Sequence, residues 1–85
     1  MTKFERRGLI LYTRAECHLC EVAKAEIRKK IGEIPIEEID VDSDPALAAR
    51  FGEEVPVGFV GGEKAFKYHV DIRRLRRLLR NAGEN

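Results

Sequence analysis

Residues 8–27, GLILYTRAECHLCEVAKAEI, change their hydrophobic period partway through, and that change decides the fold. The first part, "GLILYT" (8–13), is a short apolar run ending at a polar residue, the pattern of a buried strand. From Cys17 to Ile31 the apolar positions Leu19, Val22, Ala23, Ile27 and Ile31 recur at three and four residues, which predicts an amphipathic helix. Arg28, Lys29 and Lys30 in its last turn suit the negative end of the helix dipole, and Gly32 can close it. Glu26 and Lys30 add an i,i+4 pair. A strand thus runs directly into a helix, and both cysteines of the chain, Cys17 and Cys20, fall at the junction.

Downstream, "IPIEEIDVD" (34–42) reads as a second strand, with Ile39 and Val41 alternating and Pro35 at its beginning. "SDPALAARFG" (43–52) is a short helix with Asp44 at the N-cap, Pro45 in the first turn and Gly52 past the end. Residues 55–69, "VPVGFV", "GG" and then "EKAFKYH", form a hairpin about Gly61-Gly62. Asp71 then caps a last helix whose apolar stripe is Ile72, Leu75, Leu78, Leu79 and Ala82. The order is β-α-β-α-β-β-α. The first β-α-β is a right-handed crossover with parallel strands, and the hairpin adds an antiparallel pair. The expected class is α/β, a four-stranded mixed sheet covered by three helices. No repeat or linker interrupts it, and residues 1–85 are expected to form a single domain.

The 85 residues carry a net charge of +1, unevenly spread. Residues 1–32 hold eight Lys/Arg against four Asp/Glu, residues 33–63 one against nine, and residues 64–85 seven against two. No stretch approaches the roughly 20 apolar residues of a membrane span, and "MTKFERRGLILYT" lacks the apolar region of a signal peptide. The expectation is a cytoplasmic monomer without a membrane partner. Arg73, Arg74, Arg76, Arg77 and Arg80 lie opposite the leucines of the last helix, the arrangement of a solvated face able to pair with the acidic middle of the chain. With no interleaved aromatics and no recognition motif, nucleic acid is not an expected partner.

In a reducing compartment, a cysteine pair is catalytic or metal-binding more often than structural. A loop of three residues restrains the unfolded chain little, so a stabilising staple is the weakest reading. At a helix start, free N–H groups and the positive dipole end favour a thiolate, which makes Cys17 the expected nucleophile. Cys20 lies one turn on, on the side of Ala23 and Ile27, and suits a resolving thiol. The bland alternative is two small apolar residues on a helix. Zinc commonly takes four ligands from separated pairs. His18 lies between the cysteines and points elsewhere, so only His69 could complete even a three-ligand set, and no metal site is expected.

"LYTRAECHLCEVAKAEI", the order of elements and "EVPVGFVGG" together resemble the glutaredoxins, in their short glutaredoxin-like branch, over nearly the whole chain. The resemblance implies a thioredoxin fold, thiol–disulfide exchange through Cys17 and Cys20, and a protein or small-molecule disulfide as substrate. It also implies a cis peptide at Val55-Pro56 beside the cysteines, where the preceding backbone can pair with an extended substrate. Taken alone, the same dipeptide reads equally well as a proline entering an edge strand. Arg14, in the loop after Tyr12, matches a residue that binds a glutathione carboxylate, and Asp71 one that holds its other end. On the residues alone these are an exposed loop charge and a helix N-cap.

The chain departs from the family between the cysteines, where His18-Leu19 replaces Pro-Tyr, and at Ala15, where a proline is common. His18 could stabilise the Cys17 thiolate. Before the last helix the family's Gly-Gly is replaced by Tyr68-His69, whose side chains could obstruct glutathione and make it a doubtful reductant. No bound cofactor is expected, and the reductant is a thiol donor. Two functions follow: a dithiol oxidoreductase, or a binding module of the same fold whose thiols are inert or hold a metal or iron–sulfur cluster.

Overall fold

The computed structural model describes residues 8–83. The reading of residues 1–7 and the place of the Ala82 side chain in the last apolar stripe lie outside what it describes. Strand β1 (Leu9–Thr13) leads into helix α1 (His18–Lys30), then strand β2 (Ile36–Asp40), helix α2 (Pro45–Phe51), strands β3 (Val57–Val60) and β4 (Glu63–Lys67), and helix α3 (Ile72–Gly83). The sheet order is β2-β1-β3-β4. The β1–β2 pair is parallel, and β3 runs antiparallel to both β1 and β4, so the expected mixed sheet with three helices is present.

Alternation along β1 separates two cores. Leu9 and Leu11 pack with Ile27 of α1 and with Leu75, Leu78 and Leu79 of α3. On the opposite face Tyr12 packs against Val41, Phe51 and Val57 beneath α2. Full burial of one such aliphatic side chain contributes about 1.5–3 kcal/mol, so the larger α1/α3 face supplies most of the packing energy. Gly58 belongs to this packing, because a Cβ there would collide with the Phe66 ring. Among the described residues no helix is long and apolar enough to cross a membrane.

Three local expectations are corrected. The buried line of α1 is Cys20, Ala23 and Ile27, whereas Leu19 (36% exposed) and Val22 (42% exposed) face outward. At about 100° per residue these two turn off the line that meets the sheet, so their spacing matches a helix but their direction does not match the core. Gly32 lies beyond the cap at φ +109°, and Ile31 and Gly32 both donate backbone N–H bonds to the Ile27 carbonyl. Strand β2 ends at Asp40, not residue 42: the Asp40 side chain accepts from the Asp42 N–H at 2.9 Å, and Ser43 Oγ donates to the Asp40 carbonyl. Those local bonds replace the ladder and turn Val41 into the α2-side core.

The remaining signals behave as composition dictates. Asp44 caps α2 by accepting from the Ala46 N–H at 2.9 Å, with Pro45 at the first helical turn. Gly61 and Gly62, at φ +57° and +86°, make the tight hairpin turn. Asp71 caps α3 by accepting from the Arg74 N–H at 3.1 Å.

Candidate functional site

Strand register gathers the chemistry at one end of the sheet. Thr13 pairs with Asp40, Tyr12 with Val57, and Val57 with Lys67. The ends of β1, β2 and β4 and the start of β3 therefore share an edge. The β1–α1 loop, the Val55-Pro56 segment, Tyr68-His69 and the start of α3 all leave from it.

Cys17 is the N-cap of α1, in extended backbone, and its Sγ accepts from the Cys20 N–H at 3.2 Å. A sulfur thus takes the place usually filled by a Ser or Asp oxygen, which directs it at the unpaired N–H groups of the first turn. The two cysteines are disulfide-bonded, with Cα atoms 5.2 Å apart. Their surroundings are unequal: Cys17 is half-buried, while Cys20 is 1% exposed. An incoming group reaches Cys17 and not Cys20. His18 is the first helical residue and is exposed.

The other residues singled out from the sequence fall at the same end but hold different partners. Arg14 makes a two-point pair with Asp42, Nε and Nη2 each 3.0 Å from a carboxylate oxygen, and its Nη1 donates to the Gly52 carbonyl at 3.0 Å. Gly52 allows that approach, since a Cβ there would meet both Arg14 and the Ala48 carbonyl. The hydrogen bond and charge of Asp42, then the charges of Asp40 and Glu53, raise the guanidinium pKa above its ordinary value. Tyr12 stacks on Phe51 at 4.5 Å and meets the edge of Phe59 at 5.9 Å, placing it in the α2-side core.

Val55-Pro56 is a cis peptide, and Pro56 is buried. The Pro56 carbonyl accepts from the Tyr68 N–H at 2.9 Å, which ties the two segments together. Tyr68 has φ +67°, and the His69 N–H donates to the Lys67 carbonyl at 2.7 Å, closing a three-residue turn around it. The Tyr68 ring is 41% exposed, with Lys67 Nζ 5.5 Å from its centroid, and His69 is exposed. Asp71 is occupied as the α3 cap.

Sequence reasoning missed the partners. Asp42 lies 28 residues from Arg14, and no spacing rule links them. Thr13 is the buried polar side chain among the described residues (5% exposed), and its hydroxyl donates to Glu38 at 3.2 Å. Glu38 in turn holds Lys24 at 3.2 Å, and Lys24 also pairs with Glu21. A polar residue closing an apolar strand was the available signal for Thr13; nothing marked Glu38 or Lys24.

Fold and cysteine pair together define a thioredoxin-like protein carrying a C-x-x-C disulfide at the start of its first helix. Residues 8–80 match the model of the glutaredoxin-like domain (DUF836), and the chain belongs to that family. It is 30% identical over 83 residues to the glutaredoxin-like protein YDR286C homolog of Dictyostelium discoideum, covering 88% of this chain and 77% of that one. Among solved structures it resembles protein XcR50 of X. campestris (31% identity, TM-score 0.69, 86% of this chain and 96% of that chain). It also resembles the thioredoxin-like protein BC3987 (25% identity, TM-score 0.59, 82% and 97%).

Proposed function

We propose that the protein is a dithiol thiol–disulfide oxidoreductase in which Cys17 is the nucleophile and Cys20 the resolving thiol. The observation that carries this reading is the asymmetry of the bonded pair. Cys17 is accessible and directed at the helix N-terminus, whereas Cys20 is buried one turn behind it. In the reduced protein the Cys17 thiolate attacks a substrate disulfide, forms a mixed disulfide and releases one substrate thiolate. Cys20, as its thiolate, then attacks Cys17 Sγ and expels the second substrate thiolate. Two electrons pass from the dithiol to the substrate, and the Cys17–Cys20 disulfide remains for a thiol donor to reduce. The binding surface is assigned to His18, Val55, Pro56 and Tyr68-His69, with Tyr12 in the core behind it and with Arg14 and Asp71 held by Asp42 and by the α3 cap. The family and the cysteine pair support this reading, and a reducing compartment such as the cytoplasm fits it.

Reduction of bis(2-hydroxyethyl) disulfide tests it. Cys17→Ser lowers the rate at least about 100-fold while the far-ultraviolet circular dichroism is unchanged, as expected for loss of the attacking thiolate. Cys20→Ser accumulates a mixed disulfide on Cys17, detectable by mass. Wild-type activity in the Cys17→Ser protein would reject the assignment.

A further inference from the structure

We infer that the Cys17–Cys20 end selects its disulfide partner by charge, and that its substrate class is a disulfide flanked by positive charge. This rests on the oxidoreductase reading above. The net charge of +1 conceals a polarised molecule. Register brings residues 14–18, 40–44, 53–56 and 67–71 to the cysteine end. They hold seven carboxylates (Glu16, Asp71 and five from Asp40 to Glu54) against Arg14 and Lys67, and the helices that adjoin these segments add Arg50 in the last turn of α2 and Arg73 in the first turn of α3. Arg14 is paired with Asp42 and Lys67 with Glu54, whereas Arg50 and Arg73 make no ion pair among the described residues. Among the described residues the other five carboxylates make no ion pair. The opposite end carries Arg28, Lys29 and Lys30 in the last turn of α1, with Arg76 of α3 donating to the Lys30 carbonyl at 2.6 Å.

The carboxylates are not themselves a binding site. They set the field that a disulfide meets on its way to Cys17. The opposing contribution is the α1 N-terminus, equivalent to about half a positive charge and felt within the first turn. It favours the thiolate of Cys17, but it is smaller than the excess of five unpaired carboxylates over two unpaired arginines at this end. Such fields change association rates by tenfold or more, and they act within a Debye length of about 10 Å at 0.1 M salt. Arg14, the cation nearest the cysteine loop in sequence, commits three of its five N–H donors to Asp42 and Gly52, and Asp42 matches its charge. Anionic disulfides are therefore disfavoured twice, by the field and by the pairing of Arg14 with Asp42.

Three small disulfides test this: cystamine (dication), bis(2-hydroxyethyl) disulfide (neutral) and 3,3′-dithiodipropionate (dianion). Each is reduced in turn by the reduced wild-type protein, and each rate is divided by that for dithiothreitol to remove intrinsic reactivity. In low salt the corrected cystamine rate should exceed that of dithiodipropionate by about tenfold or more. In about 0.5 M salt the ratio should fall toward one. Glu53→Lys, which reverses an exposed charge outside the reacting groups, should reduce the low-salt ratio by about threefold. If the neutral disulfide reacts but the corrected order is flat or inverted, charge selection is wrong and the oxidoreductase reading stands. If none of the three reacts, that reading falls, and this inference falls with it.

Discussion

The two ends of the sheet turn the chain with different residues. At the end remote from the cysteines, the left-handed positions are glycines: Gly32 at φ +109°, Gly61 at +57° and Gly62 at +86°. At the cysteine end the same kind of backbone is carried by Glu16 (φ +58°) and Tyr68 (φ +67°). An L-residue in this region costs about 1–2 kcal/mol, a cost that glycine does not carry. Where the chain has only to reverse direction, it avoids that cost. Beside the cysteines it accepts the cost twice and keeps two side chains at the rim of the site. Among the described residues this cost in non-glycine residues falls only beside the cysteines, at Glu16 and Tyr68.

That comparison breaks most readily at Gly62. Nothing lies within 4 Å of a Cβ built there, so Gly62→Ala tests the backbone alone. It should cost about 1–2 kcal/mol, visible as a melting temperature lower by several degrees. The converse holds at Tyr68. Tyr68→Ala and Tyr68→Gly both remove the ring, and their difference isolates the backbone. The glycine variant should be the more stable of the two by about 1 kcal/mol in urea denaturation. Should alanine be equal or better at 68, the two ends of the sheet do not differ as described.

A smaller effect separates the two ends by their side-chain bonds. The cysteine loop is anchored by Arg14 to Asp42 and Gly52, whereas the Gly61-Gly62 turn is held by its own backbone. Arg14→Met and Asp42→Asn should each lower the melting temperature slightly. The double variant should cost no more than the costlier single one, the signature of one shared interaction. Raising the salt concentration should shrink all three differences. Additive losses would show that the two residues act separately and that the loop is held by something else.

How far these features could be read beforehand depended on the range of the interaction. Period switching from "GLILYT" to the Cys17–Ile31 segment, the Asp44 and Asp71 caps and the Gly61-Gly62 turn are local, and each was legible. The β-α-β order then implied the sheet. The cis state of Val55-Pro56 came from resemblance, since the residues alone left it balanced. What stayed hidden lay in direction and distance. Leu19 and Val22 share the helical period of Ile27 but not its direction toward the sheet. Asp40 ended its strand early because an aspartate bonds its own backbone as readily as it joins a ladder. Arg14 read as a free cation because its partner stands 28 residues away.

The least of the effects concerns the far side of β1. Lys24 Nζ lies 3.1 Å from Glu21 and 3.2 Å from Glu38, whose same oxygen also accepts from Thr13. The hydrogen bond to Glu21 and then that to Glu38 raise the lysine pKa above its ordinary value. A cation whose folded pKa lies above its unfolded one stabilises the fold fully below the unfolded pKa, about 10.4. That contribution disappears as pH rises through the folded value. The stability gap between the wild-type protein and Lys24→Met, both oxidised, should therefore be constant from about pH 7 to 9 and narrow above about 10.4. The gap itself should be small, since salt and partial exposure weaken the pair. Urea midpoints at the two extremes measure it. A gap that persists unchanged at high pH would mean that the lysine stem packing on the sheet, and not its charge, is what the position contributes.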